Sequence, residues 1–211
     1  MSKLHIKPAS DHAQMSEEWF AVKLGRISAS RINDVMATTA KGLPTSKYMD
    51  YAYSLAAERI TGNRQEIFIT LDMQRGIDME PLAKEYYAEF YGVTLTDAPF
   101  IFHRDMTFAG CSLDAIANNE YLVEFKNPKT TTFLKVKYEN EPPENYFHQC
   151  MWQMACTGAE RCDLVYYDDR IADQTKQMFR FVIKRDNELI AKMEQEVIKF
   201  NDLIEQIINK E

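Results

Sequence analysis

Apolar residues recur along this 211-residue chain mostly with a helical period, interrupted by a few short runs of strand type. Ser16 to Leu24 reads as a short helix, with Ser16 as N-cap, Glu17 and Glu18 in the first turn and Gly25 as stop. Arg26-Ile-Ser-Ala-Ser-Arg31 follows, and Ile32, Val35 and Met36 continue as a second helix, with Ser28 or Ser30 its expected cap. Thr38 to Ser46, holding Gly42 and Pro44, is a polar loop. Tyr48 to Thr61 is helical and stops at Gly62, and Phe68 to Met73 is a link. Gly76 to Tyr91 is a strong helix, with Leu82, Tyr86 and Phe90 as its apolar stripe and Glu80 near its expected start.

Val93 to Phe102 is strand-like and broken at Pro99. Cys111 to Lys126 holds two β-type runs around Asn118-Asn119-Glu120. Thr130 to Tyr138 is open between a short helix and irregular chain. Tyr146 to Thr157 reads as a helix ended by Gly158, with Tyr146, Gln149 and Gln153 on one face and His148 beside them. Two strands, Cys162 to Tyr167 and Gln177 to Lys184, precede a long C-terminal helix from Asp186. Helices before, beside and after a small sheet imply an α/β (α+β) fold in one domain over residues 1–211. Residues 1–15 are a loose lead-in and 186–211 the C-terminal helix.

The chemistry concentrates in the hairpin. Side chains alternate faces along a strand, so Glu124 and Lys126 point the same way. A three-residue loop pairs Ala117 with Tyr121 and therefore Asp114 with Glu124, which brings all three charges to one patch. A two-residue loop sets Val123 opposite Asp114 and breaks it. Facing carboxylates destabilise a sheet unless something offsets their charge. Mg²⁺ does so: it prefers carboxylate oxygens and can activate water against a phosphodiester, with Lys126 beside that water to orient or help deprotonate it. An ordinary half-exposed hairpin is the plainer reading.

Composition narrows the classes. Apolar content of 45% and charged content of 27% are ordinary for a globular protein. No apolar run reaches membrane-spanning length, and the N-terminus lacks the apolar stretch of a signal peptide, so a cytoplasmic protein without a membrane partner is expected. The net charge is −7, yet residues 1–50 carry seven Lys and Arg against five Asp and Glu. Nucleic-acid contact should therefore be local, through Lys23, Arg26, Arg31 and Lys41. Cys111, Cys150, Cys156 and Cys162 form no CxxC pair. Cys150 and Cys156, six apart on a helix, face different ways, which favours buried thiols over an iron–sulfur cluster.

Four signals stand in order: Arg26-Ile-Ser-Ala-Ser30, Gly76-x-x-x-Glu80, Ser112-Leu-Asp114 with Glu124-Phe-Lys126, and Tyr146-x-x-Gln149. This set resembles the lambda-exonuclease-like phage alkaline exonucleases, a branch of the PD-(D/E)XK superfamily, from about Trp19 to Tyr167. The resemblance implies a restriction-endonuclease-like core, a small mixed sheet flanked by helices. It implies Mg²⁺, with Mn²⁺ as substitute, on Asp114, Glu124, the Phe125 carbonyl and Glu80. Lys126 matches the catalytic lysine, and Gln149 a glutamine that organises the site. Ser30 and Ser112 match hydroxyls near a terminal 5′-phosphate. Lys23 stands where the family commonly has the arginine that grips that phosphate, with Arg26 able to compensate, and Met73 where an apolar wedge parts the duplex. The implied activity is 5′-to-3′ degradation of one strand of linear duplex DNA from its ends, releasing 5′-mononucleotides and leaving 3′ overhangs for phage-type recombination. A homotrimeric ring, a single-strand annealing protein as partner, and a phage or prophage gene in a bacterial host come with it. Two alternatives stay open: an endonuclease on the same core, and a non-catalytic scaffold for an annealing protein.

Overall fold

A computed structural model describes Leu4, Ile6 and residues 16–39, 43–65 and 69–210. The rest of the lead-in, Lys41, Gly42 and Phe68 lie outside the described residues. In chain order the elements are α1 (Glu17–Lys23), β1 (Ile27–Ser28), α2 (Ile32–Val35), α3 (Ser46–Thr61), α4 (Leu71–Tyr91), β2 (Leu95–Thr96), β3 (Ile101–Phe102) and β4 (Ala109–Cys111). Then come β5 (Ala115–Ala117), β6 (Tyr121–Lys126), α5 (Thr130–Glu139), α6 (Glu144–Thr157), β7 (Arg161–Tyr167), β8 (Met178–Lys184) and α7 (Asn187–Ile208).

The main sheet runs β2-β5-β6-β7-β8, with β6 and β7 parallel and the other pairs antiparallel. The parallel pair needs a long crossover, which α5 and α6 supply. A smaller sheet has the order β1-β4-β3. One face of the main sheet, carrying Ile116, Leu122, Leu164 and Tyr166, packs on α6 and the helices behind it, including α7 through Met193, Val197 and Phe200. The other face, carrying Val123, Phe125, Val165 and Tyr167, packs on Ala83 and Tyr87 of α4. A small mixed sheet flanked by helices is thus the architecture.

Local signals explain many of the boundaries. Ser16 caps α1, its hydroxyl accepting from the Trp19 amide at 3.1 Å. Asp186 caps α7 through the amides of Glu188 and Leu189. Gly62, Gly92 and Gly158 close α3, α4 and α6 in the left-handed conformation.

Three expectations are corrected. First, α4 begins at Leu71, not Gly76, because the Thr70 hydroxyl accepts from the Met73 amide at 3.2 Å and caps a longer helix. Glu80 therefore sits in mid-helix, and Pro81 is tolerated inside it at the loss of one N–H to the Ile77 carbonyl. Second, the buried face of α4 is one residue round from the stripe. Ala83 and Tyr87 are fully buried, while Leu82 and Phe90 are 41% and 63% exposed. Tyr87 wins that place because its hydroxyl donates to the buried Asp163 at 2.6 Å. Third, Cys111 and Ala115 belong to different sheets. The chain crosses between them through Ser112–Asp114, since Cys111 pairs with Ile101 and Ala115 with Val123. Gly110 permits the close β3–β4 approach, for a Cβ there would lie 2.4 Å from the Ile101 carbonyl oxygen.

Candidate active site

The β5–β6 hairpin carries the acidic pair. Asn118 and Asn119 take left-handed backbone angles, φ 50° and 56°, which Asn tolerates better than most residues. The Glu120 amide closes the loop on the Ala117 carbonyl at 2.9 Å. Ala117 pairs with Tyr121 and Ala115 with Val123, so the next position of that register sets Asp114 opposite Glu124. Asp114 lies just outside β5, and its carboxylate continues the ladder by accepting the Phe125 amide at 2.7 Å. Phe125 turns its ring to Tyr87 on the far face, so what it presents to the charged face is backbone.

Glu124 is 2% exposed and fully engaged. Its Oε1 accepts from Lys126 Nζ at 2.5 Å and Gln149 Nε2 at 2.6 Å, and its Oε2 from Gln153 Nε2 at 2.6 Å. Lys126 Nζ also lies 3.4 Å from Gln149 Oε1 and 4.5 Å from the centre of the Tyr146 ring. Burial works against the Lys126 charge, but Glu124 and Asp114 outweigh it and hold the ammonium's pKa above its ordinary value. Burial, then the neighbouring Glu124, pushes the Asp114 carboxyl well above the usual range. These facing acids in a buried place are an arrangement that a divalent cation would relieve.

These groups open into a cavity of about 490 Å³. Asp114, Glu124, Phe125, Lys126, Glu80 and Gln149 line it, as do Lys23, Ser30, Ser112 and Met73. Glu80 is paired with Lys84 at 2.9 Å, and among the described residues no three His, Cys, Asp or Glu side chains form a ready metal cage. The donor set that fits a hard cation is thus Asp114, Glu124 and the Phe125 carbonyl, with Glu80 on the cavity wall.

The other wall is polar and cationic. The Ser28 and Ser30 hydroxyls meet at 3.2 Å and neither accepts a capping hydrogen bond for α2, whose N-cap position is Arg31, which removes their expected capping role. The buried Ser112 hydroxyl has no partner among the described residues. Lys23 holds its ammonium 3.9 Å from the centre of the Trp19 ring, and burial, then Arg64, brings its pKa down to about 8 against the opposing Glu58. Met73 and Ile77 belong to the apolar lining, 47% and 42% exposed.

Other expected cations point elsewhere. Arg26 donates to the Thr107 and Val22 carbonyls and lines a separate depression with Gly25, Arg59 and Glu205. Arg31 pairs with Asp34 over the Tyr51 ring. Lys41 lies outside the described residues. Tyr146 and Ser28, which stand inside two of the quoted motifs, line the cavity, as does Asn127, which no motif named, and Gln153 joins the site through Glu124; the i, i+4 spacing of Gln149 and Gln153 was the available signal for Gln153. All four cysteines are buried and free, and burial pushes the Cys156 and Cys162 thiols up.

The fold has close counterparts among solved structures. The crystal structure of an alkaline exonuclease, LHK-Exo, from Laribacter hongkongensis is 37% identical, covers 92% of this chain and 94% of that one, and superposes with a TM-score of 0.84. LHK-Exo in complex with dAMP is 38% identical with the same TM-score and coverage. A phage-related exonuclease from Haemophilus somnus, 14% identical over 88% of this chain and 96% of that one, shares the fold with a TM-score of 0.71. No match is found among curated proteins. The restriction-endonuclease-like core is shared, and residues 18–160 match the YqaJ-like viral recombinase domain. With well over half of its length in that match, the chain belongs to the YqaJ-like viral recombinase family, in the company of lambda-exonuclease-like enzymes.

Proposed function

We propose that this protein is a Mg²⁺-dependent 5′-to-3′ exonuclease that degrades one strand of linear duplex DNA from its end. The observation that carries the proposal is the convergence of Asp114, Glu124 and Lys126 in one cavity whose opposite wall offers Lys23, Ser30 and Ser112. The similarity to an alkaline exonuclease, also seen in complex with dAMP, supports both the reaction class and a 5′-mononucleotide product.

The chain's own residues divide the work. Asp114, Glu124 and the Phe125 carbonyl would hold the cation, with Glu80 facing them from α4. When bound, a divalent cation supplies water activation and offsets charge on the phosphate. Lys126, kept charged by its two acidic neighbours, orients the attacking water and donates to the phosphate. Gln149 holds Lys126 and Glu124 together. Lys23 and the unpartnered Ser112 hydroxyl, with Ser30, receive the terminal 5′-phosphate, while Met73 and Ile77 offer an apolar edge against the last base pair. A phosphate pocket next to the acidic pair favours ends over internal sites, because only an end can occupy it.

The assay uses 5′-labelled linear duplex and covalently closed circles with Mg²⁺. Release of labelled mononucleotide from the linear DNA, with circles intact, is expected. Cutting of circles would favour an endonuclease on the same core, and no release from linear DNA would reject the proposal. A homotrimeric ring and a single-strand annealing partner belong to the same reading. Large exposed apolar side chains, Leu71 at 90% and Phe90 at 63% on α4 and Tyr138 at 91% on α5, are consistent with surfaces that assembly covers.

A further inference from the structure

Gln153 carries no charge and does not line the cavity, yet it touches both acidic segments. It is 1% exposed on α6. Its Nε2 donates to Glu124 Oε2 at 2.6 Å and to the Ser112 carbonyl at 3.1 Å, and its Oε1 receives the Cys162 thiol at 3.8 Å. Both neighbours of the nitrogen are acceptors and the neighbour of the oxygen is a donor, so only one orientation of the carboxamide satisfies the site. The flipped amide would set oxygen against a carboxylate and a carbonyl.

The two acceptors come from different parts of the chain. Ser112 lies two residues before Asp114 on the crossing between the sheets, and Glu124 is in β6. One NH₂ group therefore fastens both carboxylate-bearing segments to the same turn of α6. Lys126 and Gln149 share Glu124 Oε1, whereas Oε2 has only Gln153 as a protein donor among the described residues. Volume alone gives no reason for an amide here: an apolar side chain of similar length would fill the space but leave Glu124 Oε2 and the Ser112 carbonyl without this donor.

We propose that Gln153 is a positioning residue that sets the direction of Glu124 Oε2 and the Asp114–Glu124 spacing to which a divalent cation must bind. This rests on the active-site reading above. Outer groups that orient a metal-binding carboxylate are commonly worth about 10–100-fold in metal affinity.

The test compares the wild type with Gln153→Met, which keeps the volume, and Gln153→Leu, which also removes the amide and cannot donate or accept. The measurements are thermal unfolding, Mn²⁺ affinity by calorimetry, and kcat and KM for nucleotide release from 5′-phosphorylated linear duplex. The expected result is folded protein, Mn²⁺ affinity lowered about 10–100-fold, kcat lowered with it, and KM for DNA ends within about two-fold of wild type. Mn²⁺ affinity and kcat near the wild-type values in either folded variant would overturn the inference. So would failure of both variants to fold, which would make Gln153 a stability residue. A wild type that neither binds Mn²⁺ nor releases nucleotide would sink the active-site reading itself, a result distinct from a normal wild type with unaffected variants.

Discussion

Glu124 receives three side-chain donors in a nearly closed environment, and one of them is a full positive charge. Lys126 thus occupies an oxygen that a cation would also seek, and its removal takes away a competitor rather than a ligand. Lys126→Ala is expected to lower kcat by about 10²–10⁴-fold, the usual scale for losing a positioned proton-transfer or charge-stabilising group, while Mn²⁺ affinity by calorimetry is kept. Loss of affinity together with turnover would refute that division of roles. Lys23 gives a pH signature. Its folded pKa of about 8 lies below the ordinary 10.5. Between those values the unfolded chain binds more protons, so this residue's cost to stability, present below about pH 8, fades as pH rises through the window. Phosphate binding should move the opposite way, because the ammonium is lost there. KM for 5′-phosphorylated ends should climb above about pH 8, and Lys23→Arg, whose guanidinium stays charged, should flatten that climb. Equal profiles for the two proteins would remove Lys23 from the phosphate site.

At the scale of elements, α4 is held by polar anchors as well as by apolar contact, among them Arg75 to Asp168, Asn127 to the Gly76 carbonyl and, the most buried of these, Tyr87 to Asp163. Asp163 is fully buried in β7 and is met by Arg161 at 2.6 Å, Arg180 at 2.7 Å and the Tyr87 hydroxyl at 2.6 Å. Tyr87→Phe keeps the ring but removes a donor to a charged group, which should cost about 1.5–3 kcal/mol in denaturant unfolding. A change below a few tenths would mean that the two arginines suffice. Because α4 also carries Glu80 and Met73 to the cavity, the same variant should loosen the site before it unfolds the protein. The β3–β4 approach is similarly constrained: Gly110→Ala places a methyl against the Ile101 carbonyl and the Phe100 ring, and an overpacking loss of about 1–3 kcal/mol should appear as a lower Tm.

For the whole molecule, the net charge of −7 sets the terms on which DNA can approach. Arg26 and Arg31 are turned away to backbone carbonyls and to Asp34, so among the described residues Lys23 and Lys126 are the cations that line the cavity. Attraction should come from a few phosphates near an end, and nucleotide release should fall with salt on a shallow slope, since that slope scales with the number of phosphates neutralised. A slope steep enough for six or more contacts would require DNA-binding surface beyond this cavity, such as a ring of subunits provides. Sedimentation settles the assembly directly: a trimer is expected, and Phe90→Asp or Leu71→Asp should weaken it if α4 lies in the contact.

Several features were legible from residue order because they depend on near neighbours. Ser16 and Asp186 cap helices through amides two or three residues on. The Asn118–Glu120 loop sets the hairpin register, and with it the meeting of Asp114 and Glu124, because strand alternation leaves little freedom once the turn is known. Other features were settled by groups distant in sequence. Tyr87 rather than Tyr86 faces inward because Asp163, 76 positions later, needs its hydroxyl. Arg26 leaves the cavity because the Thr107 carbonyl and the Arg59 depression take its guanidinium. Gln153 gains its place from a carboxylate in β6 and a carbonyl on the crossing between the sheets. Periodicity shows which residues could share a face, but the buried polar groups, each needing a partner, determine which one does.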